Sequence, residues 1–139
     1  MTQEEKELLL KDLSTRLPYK AKVFYEYVDD LNNKTYGYSL TLNTWCIDEL
    51  VAEKAVVKPY LCPISSITKE ELYKIQDIIG KGVEIRDTFI SIVDSSINTF
   101  SYLELQAVFD WFNAHHFDYR RLIEKGLAIE VTEDNNPYD

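Results

Sequence analysis

The sequence predicts an α+β fold: a small, mainly antiparallel sheet of four to six strands packed against two or three helices. Three observations carry that expectation. Thr2 with Glu5, Thr68 with Glu71 and Ser101 with Glu104 share the capping-box spacing, in which the hydroxyl takes an orphan backbone N–H and the Glu reaches back to the cap. Residues 35–42 alternate strictly, with Tyr36, Tyr38, Leu40 and Leu42 on one face of a strand and Thr35, Gly37, Ser39 and Thr41 on the other. Near the C-terminus Leu127, Ile129 and Val131 alternate with Ala128, Glu130 and Thr132, the pattern of a half-buried strand that closes the fold.

From the N-terminus, Leu8, Leu9 and Leu13 recur at helical spacing behind the Thr2 cap, so a helix runs to about residue 15 and Pro18 ends it. Ala21 to Val28, rich in Val, Phe and Tyr, pairs with 35–42 as a hairpin, and Asp-Asp-Leu-Asn-Asn-Lys between them is turn chemistry. Trp45 to Val51 reads as a third strand and Val56 to Leu61 as a fourth. Pro59 and Pro63 cannot donate to a ladder, which puts the fourth strand at an edge or ends it in an irregular extended segment. A helix over 69–79 follows the Thr68 cap, terminated by Gly80 and Gly82. Thr88 to Val93 is a further strand, and Asp94, Ser95 and Ser96 form a turn.

The helix over 102–115 carries Leu103, Leu105, Val108, Phe109, Trp111 and Phe112, with Gln106, Asp110 and Asn113 as a narrow polar stripe. Protein must therefore cover most of its circumference. Asp118 is placed to cap a short second helix, Tyr119 to Lys125, and Gly126 sits where a left-handed residue ends it. Residues 1–131 make one domain, and 132–139 are expected to be a mobile tail.

Composition narrows the function. The 139 residues carry a net charge of −9, no stretch is net basic, and residues 88–118 hold four carboxylates with neither Lys nor Arg. Phosphate binding needs clustered Lys and Arg, so a nucleic-acid partner is not expected. The N-terminus is too charged for a signal peptide and no apolar run approaches the ~20 residues of a membrane helix, which points to the cytoplasm and to no membrane partner. Cys46 and Cys62 stand apart from each other and from the histidines, as two reduced thiols. With 4 glycines, no Walker A loop, no Rossmann fingerprint and no CxxC, the chain shows no cofactor-binding motif.

The stretch from Asp110 to Val131 is the densest in chemistry. His115 and His116 are adjacent, and neighbours on a helix point ~100° apart, whereas two metal ligands from one helix want i and i+4 spacing. Structural histidines, favoured by the dipole at a helix C-terminus, are the simpler reading, and no metal is expected. His116 with Asp118 has the makings of a general acid/base pair, because a carboxylate fixes a tautomer and raises a histidine pKa. No nucleophile elbow marks Ser65 or Ser66, so no catalytic residue is assigned. Arg120 either binds Asp118 or a carbonyl and locks the turn, or stands exposed beside Tyr119, two residue types enriched at interface hot spots.

KPYLCPISSITKEE at 58–71 and DWFNAHHFDYRRLIEKGLAIE at 110–130 resemble an uncharacterised family of small proteins that recur, often in several copies, in gut bacteria and their mobile elements. Cys62 and Arg121 stand where that family usually has Arg and Gly. The resemblance implies relatives carried on mobile elements and brings no activity with it. The expected function is that of a non-enzymatic cytosolic protein-interaction module, an adaptor or inhibitor. A protein partner, or a second copy of the chain, would dock on the edge near Lys58 to Ser66 and on the corner of His116, Asp118, Tyr119 and Arg120, provided the following loop does not itself cover that edge. The alternative is a metal-assisted or acid/base hydrolase centred on His116 and Asp118.

Overall fold

The computed structural model describes residues 1–79, 83–86, 89–92 and 102–138. Thr2 caps α1 (Gln3–Arg16) with both halves of the expected box, Glu5 N–H to the Thr2 hydroxyl at 3.1 Å and Thr2 N–H to the Glu5 carboxylate at 2.9 Å. A 3-10 turn over Leu17–Tyr19 carries Pro18, and left-handed Lys20 leads into β1 (Lys22–Val28). Then come β2 (Thr35–Thr41), α2 (Thr44–Val51), β3 (Ala55–Leu61), a 3-10 turn at Ile64–Ser66, and α3 (Lys69–Ile79) behind its Thr68–Glu71 box. The chain continues through β4 (Val83–Arg86), β5 (Phe89–Ile92), α4 (Tyr102–Ala114) and β6 (Ile129–Glu130).

The fold is α+β. Its main sheet has the order β2-β1-β3-β6, antiparallel except where β6 lies parallel to β3, and β4 with β5 makes a separate antiparallel pair. The Ser101–Glu104 box, the Gly80 and Gly82 terminators, the turn at Asp94 to Ser96 and the side chains of Leu103 and Leu105 lie outside what is described.

One sheet face packs on α1 and α2. Leu9, Leu13, Val23, Cys46, Leu50, Val57 and Leu61 are almost wholly buried there, and Leu122 and Leu127 close the far side. Full burial of each such aliphatic side chain stabilises by about 1.5–3 kcal/mol before entropy is counted. Ile64, Ile75, Phe112 and Phe117 make a second, smaller core between α3 and α4.

Three expectations need correction. Trp45 to Val51 lies in α2 and forms no strand: Asn43 Oδ1 accepts the Cys46 N–H at 3.1 Å, and Cys46 and Leu50, four residues apart, turn inward together. The 3.6-residue period thus decided a segment whose apolar residues had suggested a strand.

The short helix Tyr119–Lys125 is absent, replaced by successive turns. Arg121 is left-handed at φ 61, and Asp118 caps residues 122 and 123, beyond the second and third helical positions a true N-cap would serve. Gly126 does take the left-handed conformation, at φ 72.

Pro59 sits in an inner strand. Ala21–Leu42 and Asp29–Lys34 are hydrogen-bonded pairs in the β1–β2 ladder, which turns the odd-numbered residues of β1 toward β2 and leaves Val23 and Pro59 a non-hydrogen-bonded pair between β1 and β3. The missing Pro59 donor faces away from β1, just before β6 begins its pairing at Tyr60. The same side of β3 is closed further on by Val131 N–H donating to Leu61 O at 2.9 Å, whereas Cys62, whose groups alternate to the β1 side, donates to His116 O at 2.8 Å and accepts from Asp118 N–H at 2.9 Å.

The tail has internal structure. Asn135 Oδ1 accepts from Thr132 N–H at 2.6 Å and from the Thr132 hydroxyl at 2.7 Å, its Nδ2 donates to Glu130 O, and Tyr138 is set against β1 and β3.

Candidate functional site

The corner from His116 to Arg120 is built on a stripe of α1. Leu9, Asp12, Leu13 and Arg16 follow the i, i+3, i+4, i+7 pattern of a buried helix face, and two of the four are charged. Asp12 and Arg16 are fully buried and joined at 2.7 Å. Arg16 also donates to Phe117 O at 2.6 Å, while Arg120 reaches the other Asp12 oxygen at 2.9 Å, the Thr15 hydroxyl at 3.2 Å and the Tyr119 hydroxyl at 2.8 Å. Tyr119 in turn donates to Asn113 Oδ1 at 2.9 Å.

Arg120 therefore locks the corner through Asp12 of α1, and not through Asp118 or a carbonyl. Asn113, read as part of a narrow polar stripe, is buried as an acceptor, and Phe109 of α4, read as apolar cover, is 42% exposed, with its ring 5.1 Å from that of Tyr119. The missed signal was the Asp12–Arg16 pair at i, i+4 inside an apolar stripe.

Asp118 is 5% exposed, and its two oxygens accept the N–H groups of Leu122 at 2.8 Å and Ile123 at 2.9 Å. Burial pushes its carboxyl up from the usual range, against the opposing pull of those two N–H groups. His115 is exposed, stacked on Trp111 at 4.1 Å, with Nδ1 2.9 Å from Trp111 O. His116 is left-handed at φ 63 and half-buried, and its ring lies 3.8 Å from that of Tyr138 at an angle of 9°. Among the described residues no three His, Cys, Asp or Glu side chains converge as metal ligands. Ser66 Oγ is bonded to Pro63 O at 2.6 Å. The hydrogen-bonding groups that could have served chemistry or docking at this corner are mostly spent on the fold.

Burial, helped by the positive charges of Arg16 and His115, pushes the His116 pKa down to about 4. Between 6.5 and about 4 the unfolded chain thus binds a proton at this position that the folded chain does not, so stability is full above 6.5 and is lost as pH falls through that window. His116→Asn keeps a side chain that tolerates the left-handed backbone and removes the titration. The difference in urea midpoint between wild type and this variant should change across that window. An unchanging difference would show that His116 titrates normally. Asp118, with its raised pKa, acts in the opposite sense, losing stability as pH rises through its own window, and it cancels in the comparison.

Among the described residues β2 is an edge strand of the main sheet with no strand paired on its outer side. Val23–Leu40, Tyr25–Tyr38 and Tyr27–Tyr36 are the hydrogen-bonded pairs with β1, so Thr35, Gly37, Ser39 and Thr41 direct their N–H and C=O groups outward. From Thr35 to Ile47 there is no charged residue. Tyr36, Tyr38 and Trp45 are 40–45% exposed and form one aromatic surface around buried Tyr25, whose ring lies 5.5 Å from Tyr38 and 4.7 Å from Trp45. On the other face the Phe24 ring lies over Gly37 so closely that a Cβ there would collide with it. A cleft of about 960 Å³ opens at the end of the sheet; on its rim Lys6 bonds Glu53 at 2.9 Å and the Tyr25 hydroxyl meets Glu49 at 3.3 Å.

Compared with protein-family models, curated proteins and solved structures, the chain matches none. Among the described residues no helix is long and apolar enough to cross a membrane.

Proposed function

We propose that the chain acts by binding another protein, which adds an extended strand to the edge of β2, unpaired among the described residues. The edge itself carries the reading: four residues with outward backbone donors and acceptors in a strand without a charge. Proteins usually blunt such an edge with Lys, Pro or a bulge, and β2 has none of these. Strand addition takes affinity from main-chain hydrogen bonds and register from alternate side chains, here the exposed Tyr36 and Tyr38. The net charge of −9 favours a partner strand flanked by basic residues. The resemblance to small multi-copy proteins of mobile elements supports a cytoplasmic adaptor or inhibitor. The hydrolase alternative draws no support from His116 and Asp118, which face separate partners.

Ser39→Pro removes one outward N–H and leaves the β1–β2 ladder intact, so a complex should weaken ~10-fold or more, while Ser39→Ala, which loses only the hydroxyl, should bind as wild type. In the complex the amides of Thr35, Gly37, Ser39 and Thr41 should gain hydrogen-exchange protection, with those of Tyr36, Tyr38 and Leu40 unchanged. The same protection in a concentration-dependent dimer would make the partner a second copy. Binding lost with folded Arg120→Ala and kept with Ser39→Pro would move the surface back to the corner and sink the edge.

A further inference from the structure

We propose that the junction of β1 and β3 is a binding slot for a tyrosyl side chain, which the chain fills with its own Tyr138. Lys22 and Tyr60 are the next hydrogen-bonded pair that the β1–β3 register calls for after Val23 and Pro59. The Tyr138 hydroxyl stands between them, accepting from Lys22 N–H at 3.0 Å and donating to Tyr60 O at 2.7 Å. One phenol thus completes the ladder as a bound water would, and its ring stacks on His116 at 3.8 Å. Nearby, the fully buried Arg16 has Nη1 without a partner, and so has His116 Nδ1, among the described residues.

The pair of bonds defines the ligand class. The Tyr60 carbonyl demands a donor and the Lys22 amide an acceptor, which a neutral phenol supplies from one atom. A phenyl ring supplies neither, and a phosphorylated tyrosine lacks the donor. Burial keeps the Tyr138 hydroxyl protonated, its pKa pushed up to about 12. The segment that presents it is a short surface turn, with Asn136 Oδ1 accepting the Tyr138 N–H at 2.9 Å and Glu133, Asp134 and Asn135 exposed. Tyr138 is therefore an intramolecular ligand on a tether, and a tyrosyl group supplied from outside competes with it at the tether's effective concentration.

The test uses full-length Tyr138→Ala with p-cresol as probe, read by the NMR shifts of the Lys22 amide and the His116 ring. In the folded variant the His116 pKa should rise from about 4 toward 6.5. p-Cresol should reverse that rise and restore the Lys22 shift at roughly millimolar concentration, with toluene at least ~10-fold weaker and wild type unresponsive. A folded variant in which p-cresol moves neither signal, or toluene acts as well as p-cresol, overturns the slot. Tyr138→Phe is the second arm, since it keeps the ring: Lys22 amide exchange should accelerate ~10-fold, and an unchanged rate overturns the proposal even if the alanine variant does not fold.

Discussion

Asp12→Ala is expected to destabilise the fold by about 3–5 kcal/mol, the usual cost of removing one partner from a buried ion pair. Asp12 is fully buried and accepts from two guanidinium groups, Arg16 at 2.7 Å and Arg120 at 2.9 Å. Without it Arg16, also wholly buried, would keep Phe117 O as its one hydrogen-bond acceptor among the described residues. Urea unfolding followed by circular dichroism measures the loss directly. Asp12→Asn separates charge from shape: it retains an acceptor and the volume but drops the negative charge, and it should still lose most of the stability. A cost below about 1 kcal/mol for both would mean that the two arginines find water on relaxation and that the node does not hold α1 to the corner. Replacing all three charged groups by apolar ones of matched shape is a different experiment, and such a swap is often neutral or stabilising.

Asp118→Ala is the second large effect, expected at about 2–4 kcal/mol from two amide N–H groups each left unsatisfied. Leu122, one of the two, is fully buried in the main core, so the loss is transmitted to packing as well as to the turn. Asp118→Asn should fall between wild type and alanine. Its carbonyl oxygen serves one N–H, but its amide group presents a donor to the other. The alternative view of Asp118 as half of an acid/base pair predicts a different result, in which stability is unchanged. Equal stability of wild type and Asp118→Ala would therefore return this residue to the list of functional candidates.

Much of the fold was legible because it rests on local rules. The boxes at Thr2 and Thr68 are hydrogen bonds between residues three apart, and they set the starts of α1 and α3. The alternation at 35–42 is a property of one strand, and the turn residues before it fix the hairpin register with β1. Where the local reading of a segment failed, other contacts had decided it. In α2 the Asn43 cap and the inward pair Cys46 and Leu50 outweighed the apolar run from Trp45. After α4 the pairing of 116–118 with Cys62 held the chain in turns where a short helix had been the local preference.

The candidate sites were less legible. His116, Asp118, Tyr119 and Arg120 stood out because their chemistry is conspicuous, and three of them proved to owe that chemistry to residues more than a hundred positions away or to the chain end: Arg120 to Asp12, His116 to Tyr138, Tyr119 through Arg120 to α1. The uncharged run at 35–47 was visible, but whether it formed an inner or an edge strand was not, since strand order is a long-range property. By itself the sequence determined the class of fold, most helix starts and the hairpin, all of them set by contacts within a few residues. Only the tertiary structure decided which strand lies at the edge, which charges are buried and what Tyr138 touches, because each depends on which distant groups are brought together to replace water.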